Sequence, residues 1–449
     1  MTLTKGAEMD TTVDFLTAES SLNKRRKHFH MMIKPIGPVC NLACTYCYYL
    51  EKENIYENKK STPSRFKMSD RVLEAYIRDY IKSQPTENPR VVFAWQGGEA
   101  TLLGLEFFER AVKFQQKYAD GRRMENTIQT NGMFIDGKWA KFLKKHDFLV
   151  GISIDGPKDI HDRYRVNKGG KGTWDRVMES VRALRKHKVR FNTLTVVSSL
   201  TAEHPLRVYR FLKSTGSEWF QFLPIQERKA LDKNEKLSLV ANDYKGETEV
   251  TEESVRPEQW GKFLTTIFDE WVRKDVGKIF VKEFDTALEA WCGYMPSSCI
   301  HSKSCGDGLV MEHNGDVFSC DHYVYPKFKL GNIMDKPLLD MANSPEQKKF
   351  GNDKYDTLSE KCRKCKYLTA CYGECPKHRF AKTEKGEDHT YLCPGYYAFY
   401  DHVAPYMHVM RTLLKVGKKP AEIMNLIKIQ ERKEKAEAKK TRKKERMAV

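Results

Sequence analysis

Twelve cysteines are distributed unequally along this 449-residue chain, and their placement constrains it more than any other feature. Three stand together as Cys40-x3-Cys44-x2-Cys47, and the other nine lie beyond residue 290. Between the two groups, short β-rich runs alternate with helical patterns. Strands are expected at Phe29–Lys34, Val91–Trp95, Thr127–Thr130, Leu149–Ile154, Arg190–Val197 and Trp219–Leu223. Helices are expected between them, at Asp70–Lys82, Gly104–Tyr118, Trp139–His146, Thr173–His187 and Pro205–Ser214, with another at Glu258–Lys274. Six β–α alternations imply a parallel sheet with outer helices, either an open barrel or a doubly wound sheet. The polar stretch Glu227–Pro257 reads as a surface insertion. Past residue 290, short segments rich in Cys, Gly and Pro read as a second domain held by something other than a large apolar core.

Those thiols must be read against their compartment. Met1–Lys27 mixes Thr, Asp, Glu and Lys and lacks the apolar core of a signal peptide. No apolar run approaches the roughly 18–20 residues that span a bilayer. A cytoplasmic location is therefore expected, where thiols serve as metal ligands more often than as disulfides. The net charge of +18 invites a nucleic-acid reading, but its distribution weakens it. Lys415–Val449 carries thirteen Lys/Arg against five Glu, so one segment supplies eight of the excess charges. Gln430–Arg446 reads as a solvated helix or disordered tail, and no nucleic-acid or membrane partner is expected.

The chemistry concentrates at strand ends, where parallel β/α folds build their sites. Three thiolates as close as Cys40, Cys44 and Cys47 can wrap one face of a 4Fe–4S cubane and leave one iron open. Structural zinc would want a fourth nearby ligand, and the next cysteine is Cys292. Gln96-Gly97-Gly98-Glu99 follows the second strand, Gln129-Thr130-Asn131-Gly132 the third, and Ser153-Ile154-Asp155-Gly156 the fourth, with His161-Asp162-Arg163-Tyr164-Arg165 beyond it. Downstream, Cys305-x9-Gly315-x4-Cys320 precedes Cys362-x2-Cys365-x5-Cys371-x3-Cys375-x17-Cys393. With Cys299, eight thiols suffice for two fully ligated 4Fe–4S clusters, with two zinc sites as the alternative. Cys292 has no assigned partner and reads as a buried thiol.

The Cys40–Cys47 spacing, with Tyr46 before the last thiolate, resembles the radical S-adenosylmethionine superfamily. The downstream cysteines resemble its SPASM auxiliary-cluster extension. The resemblance implies a partial (β/α)6 barrel over 28–275 and a small iron–sulfur domain with a C-terminal helix over 276–410. An N-terminal arm (1–27) and a basic tail (411–449) flank them. It implies three 4Fe–4S clusters and S-adenosylmethionine as cosubstrate, contacted by Tyr46, Gly98, Glu99, Ser153, Arg165 and, at the sixth strand, Gln226. Glu99 would hold the methionine amino group, although Ala100 replaces the family's usual Pro. Family pairing assigns Cys299, Cys305, Cys320 and Cys375 to one auxiliary cluster and Cys362, Cys365, Cys371 and Cys393 to the other.

Three further stretches, Lys34–Cys40, Cys47-Tyr48-Tyr49-Leu50 and Ser319-Cys320-Asp321-His322-Tyr323-Val324, together with Gln221-Phe222-Leu223-Pro224, resemble anaerobic sulfatase-maturating enzymes. These convert a Cys or Ser within a C/S-x-A/P-x-R segment of a sulfatase into Cα-formylglycine, with electrons from a reductant such as flavodoxin or ferredoxin. In that scheme a 5′-deoxyadenosyl radical takes a hydrogen from the substrate β-carbon, which must then lose one electron and one proton. Asp321, made basic by partial burial, is the candidate base, and Tyr49 and Gln96 are placed at the mouth to hold the peptide. A SPASM-type enzyme that crosslinks a precursor peptide is the nearer rival; a non-catalytic electron carrier or an RNA-binding protein is the more distant one.

Overall fold

The computed structural model describes residues 28–55, 66–232, 237–240 and 244–447; the expected arm over 1–27 lies outside them. Six strands follow one another in sequence and in space: β1 (His30–Lys34), β2 (Arg90–Trp95), β3 (Arg123–Thr130), β4 (Leu149–Ser153), β5 (Phe191–Val197) and β6 (Trp219–Pro224). All are parallel to their neighbours. Between them run helices whose apolar faces cover the sheet, as the burial of both faces of a parallel sheet requires. The helix Asp70–Ser83, for example, buries Leu73, Tyr76, Ile77, Tyr80 and Ile81, and Ser69 caps it by accepting the Val72 N–H. The result is the open, partial barrel, one of the two arrangements that the alternation allows and the one that the resemblance implies.

Boundaries moved for local reasons. The third helix begins at Gly137, ahead of Trp139, because Asp136 caps it and accepts from the N–H groups of Lys138 and Trp139. Strand β3 begins at Arg123, four residues earlier than its apolar pattern suggests, since it pairs with β2 from Arg90 onward at the charged rim. In the polar insertion, Arg228–Ala230 and Thr248–Val250 form a small antiparallel hairpin.

The larger difference lies beyond residue 275. The sheet does not stop there. Phe280–Val281 extends it past β6, and on the opposite edge Gly308–Glu312 pairs in parallel with β1, from His30↔Gly308 to Lys34↔Glu312. Asp316–Phe318 and Lys329–Asn332 then add two antiparallel strands. Leu309, Met311, Val317, Leu338 and Met341 are buried in the same apolar cluster as Ile33, Tyr76 and Phe93. The expectation of a region lacking a large apolar core is thus corrected: the cysteine-rich part shares the core of the barrel. Periodicity over short strands could not show this, because the partner strand lies some 280 residues away in sequence.

The helix Cys393–Lys415 closes the structure and runs through the expected boundary at 410/411, with Met410 and Leu413 buried. It lies against Pro257–Lys274 at a Gly–Gly contact so tight that a Cβ on Gly395 would sit 2.2 Å from the Pro257 carbonyl oxygen. The basic tail then forms a helix, Ile423–Met447. Its first turns are anchored: Ile423 is buried, Met424 and Ile427 pack on the core, and Glu431 accepts from Arg273 at 3.1 Å. Gln430–Lys440 is exposed apart from Glu431, which is half-buried, in keeping with a solvated helix.

Truncation after Glu431 should therefore leave the melting temperature of the enzyme within experimental error of the full chain. Ile423→Ala should lower unfolding stability by about 2–4 kcal/mol, the range for deleting a buried aliphatic side chain. Chemical denaturation of both variants checks this; equal stability of Ile423→Ala and the parent would show that the helix is not docked.

Candidate active site and cluster sites

The site forms where the strands end. The segment that leaves β1, Lys34–Cys40, is laced to the loop after β2. The backbone N–H groups of Gln96, Gly98 and Glu99 donate to the carbonyls of Ile33, Gly37 and Val39 at 2.8, 2.8 and 3.0 Å. Only glycine fits at position 98, since a Cβ there would lie 2.1 Å from the Val39 oxygen. Gly97 has φ +128°, which also favours glycine. Glu99 is 1% exposed, and its carboxylate accepts from Thr101 N–H, the hydroxyls of Thr101 and Thr130, and Asn131 N–H. Burial raises its carboxyl above the usual range although all of these bonds oppose the shift. Glu99 therefore braces the second strand end against the third, with its side chain turned to protein donors. Ala100 is fully buried and starts a 3-10 turn that Glu99 caps, so this loop is built without proline.

The three thiols of Cys40, Cys44 and Cys47 lie within electrostatic reach of one another. Cys40 Sγ also receives Leu42 N–H at 3.4 Å. Burial pushes the Cys40 thiol up to about 12 and the Cys44 thiol to about 11, with Arg165 opposing the shift at Cys44. Buried thiols of this kind become thiolates only beside a cation, and three without a fourth suit a cluster with one open corner. Arg165 is not a surface ion pair. It is buried, bonds Asp155 at 2.8 Å, and lies over the Tyr46 ring at 5.6 Å. Tyr46 donates to the same Asp155 carboxylate at 2.5 Å, while Val196 N–H binds its other oxygen. Asp155 therefore organises this side of the mouth. Ser153, at the end of β4, is 7% exposed.

The remaining thiols separate into two groups. Cys299, Cys305, Cys320 and Cys375 act on one another electrostatically, and so do Cys362, Cys365, Cys371 and Cys393. Each group has four thiols, the donor set of a fully ligated cubane. Two histidines accompany them: His322 Nδ1 is 3.4 Å from Cys375 Sγ, and His389 Nδ1 is 3.5 Å from Cys362 Sγ. Cys292 is only half-buried, at the end of the helix Lys282–Trp291, because that turn faces the surface.

Asp321 meets the first strand end. Lys34 pairs with it at 2.5 Å and Tyr48 donates to it at 2.8 Å. Burial alone would raise its carboxyl, but Lys34, His322 and Tyr48 outweigh burial and hold it at about 2. The expectation that burial makes Asp321 basic is thus reversed in this state, by charges that the local sequence does not reveal. Tyr49 also differs from expectation. Its ring is buried with the Lys34 ammonium 3.3 Å from its centroid, and its hydroxyl donates to Glu312, so it braces the wall instead of lining an open mouth. Gln96 remains half-buried at the strand end. Gln226 is 2% exposed, and its amide Nε2 lies 3.1 Å from His378 and 3.5 Å from Glu374, which commits it to the auxiliary loop. Beside it, Glu227 and Lys377 form a buried pair at 2.6 Å. Lys34, Tyr48, Asp155, Glu227, Glu312, Glu374 and Lys377 belong to the site without having been given a role from the sequence. A charged residue at an otherwise apolar strand end, as at Lys34, is a signal that could have found one of them.

Comparison with known proteins follows this geometry. The radical SAM superfamily model matches residues 35–212, and the SPASM iron–sulfur cluster-binding domain matches residues 303–366. A serine-type anaerobic sulfatase-maturating enzyme of Bacteroides thetaiotaomicron is 47% identical over 90% of this chain and 96% of its own length. A cysteine-type enzyme of Clostridium perfringens is 34% identical over 84% of this chain and 96% of its own. The solved structure of native anSMEcpe with bound AdoMet and Cp18Cys peptide superposes with a TM-score of 0.73 at 33% identity, covering 86% of this chain and 99% of that one. The architecture, the grouped thiols and these likenesses agree: the chain belongs to the anaerobic sulfatase-maturating enzymes of the radical SAM superfamily.

Proposed function

We propose that this enzyme oxidises a serine or cysteine in the C/S-x-A/P-x-R segment of a sulfatase to Cα-formylglycine. Bound S-adenosylmethionine and three 4Fe–4S clusters would supply the hydrogen-abstracting radical and the acceptor for the electron left behind. The observation that carries the reading is the placement of Asp321, next to the auxiliary thiol Cys320 in sequence and bonded to Lys34 and Tyr48 from the barrel.

Each group has a role in this reading. Cys40, Cys44 and Cys47 hold the cluster with the open iron, and the two groups of four thiols hold the auxiliary clusters. Gly98 and the backbone around it, with Tyr46, Ser153 and Arg165, form the S-adenosylmethionine side, and Glu99 shapes that loop. Asp321, ionised at neutral pH, takes the substrate proton. Its pairing with Lys34 makes it a weak base, so proton acceptance is best coupled to departure of the electron toward the auxiliary cluster that neighbouring Cys320 would help to hold. Identity of 47% to a serine-type relative, against 34% to a cysteine-type one, favours a serine client. We read it as a cytoplasmic enzyme reduced by flavodoxin or ferredoxin; among the described residues no helix is long and apolar enough to cross a membrane.

Anaerobically reconstituted protein should hold about twelve iron atoms, and replacing Cys40, Cys44 and Cys47 with Ala should remove about four and abolish S-adenosylmethionine cleavage. Stoichiometric zinc in place of iron would sink the reading. Asp321→Asn keeps an acceptor for Tyr48 but cannot take a proton. It should retain iron, still release 5′-deoxyadenosine, and form formylglycine at least about a hundredfold more slowly. Mass spectrometry of a Ser and a Cys version of one peptide measures both coupling and preference. Full coupled turnover by Asp321→Asn would assign the proton to another group.

A further inference from the structure

Lys52 lies five residues after Cys47, on the 3-10 turn Leu50–Ile55, and is 3% exposed. Its ammonium has no hydrogen-bond partner among the described residues. It sits over the Tyr325 ring at 3.2 Å, a contact that satisfies its charge in part but none of its N–H donors. The charged groups acting on it most strongly are Lys377, Glu227, Lys34 and Asp321. Two of these four are lysines, and each has its own carboxylate: Lys34 has Asp321 at 2.5 Å, and Lys377 has Glu227 at 2.6 Å. Lys52 has none. Burial first, and the Lys377 charge next, bring its ammonium down to about 7, which marks the position as costly for a charge.

A buried donor without an acceptor is costly, and a ligand that brings an acceptor relieves that cost. Lys52 is held between the cluster loop, where its backbone N–H donates to the Tyr49 carbonyl at 3.1 Å, and Tyr325 on the auxiliary side, the two elements that also carry Tyr48 and the proposed base Asp321. On the proposed function, the client polypeptide must reach these same elements to meet Asp321. Its segment is uncharged at the target residue, and its most abundant acceptors are main-chain carbonyls.

We propose that Lys52 is a substrate-binding residue whose buried ammonium donates to a main-chain carbonyl of the client segment, fixing the target side chain against Asp321. The inference rests on the sulfatase-maturating reading, and the test separates the two. Lys52→Met keeps the stem and its packing on Tyr325 while removing the unsatisfied charge. In the cluster-loaded enzyme without peptide, this variant should melt at a higher temperature than the parent, because a lone buried ammonium is lost. Its Kd for a synthetic sulfatase peptide carrying the C/S-x-A/P-x-R segment, followed by fluorescence anisotropy, should rise at least about tenfold, the effect of losing one charge-assisted hydrogen bond. Lys52→Arg, which keeps a donor, should bind more tightly than Lys52→Met. Stabilisation and weakened binding in one variant are the opposite of what a structural lysine gives. Lower melting temperature, loss of iron, or unchanged peptide affinity in Lys52→Met would each overturn the assignment. Failure of the parent enzyme itself to bind the peptide would instead remove the sulfatase reading.

Discussion

The parallel pairing of His30–Lys34 with Gly308–Glu312 is the contact on which the site depends. It joins the first barrel strand to the cysteine-rich region in a register that places Lys34 beside Glu312, and the hairpin that follows returns Cys320 and Asp321 over the same strand end. Lys34 is thereby buried among Asp321, the ring of Tyr49 and, through the Tyr49 hydroxyl, Glu312. Each member compensates another, so a shift in register would strand a charge away from water at a cost of several kcal/mol. One ladder therefore sets the distance between the radical-forming loop and the auxiliary loop.

Electrostatics across the site follow from burial. Eight of the thiols stand in groups of four and three in a group of three, and desolvation raises those with a resolved shift, so the protein is built to receive a compensating cation. The same burial makes His322 and His161 neutral at physiological pH. His322 and His389, each within 3.5 Å of a cysteine sulfur, fall among the hydrogen-bond neighbours that tune a cluster's potential. Where carboxylate and cation meet directly, as in Glu227–Lys377 and Asp155–Arg165, the pair ties a barrel strand end to the loop that would hold a cofactor or cluster. Among the described residues Lys52 has no such partner, in contrast to Lys34 and Lys377 beside it.

Local sequence was sufficient wherever chemistry depends on near neighbours. Cys40-x3-Cys44-x2-Cys47 must converge because three residues of one short loop cannot avoid one another. Gln96-Gly97-Gly98-Glu99 was legible as a motif at a strand end, although that a Cβ at position 98 would strike Val39 appears only in the structure. The six strands and their helices were legible from periodicity, since each apolar face answers to one adjacent layer. Tertiary structure alone decided the rest. The shared core of the cysteine-rich region, the inward turn of Tyr49, the commitment of Gln226 to His378 and the lowering of Asp321 all arise from partners between 150 and 290 residues away. Spacing along a chain specifies which groups can share a loop. Which charges face one another across a sheet, and so how acidic a carboxylate is or which lysine is left without a counter-ion, is set only when distant strands pair.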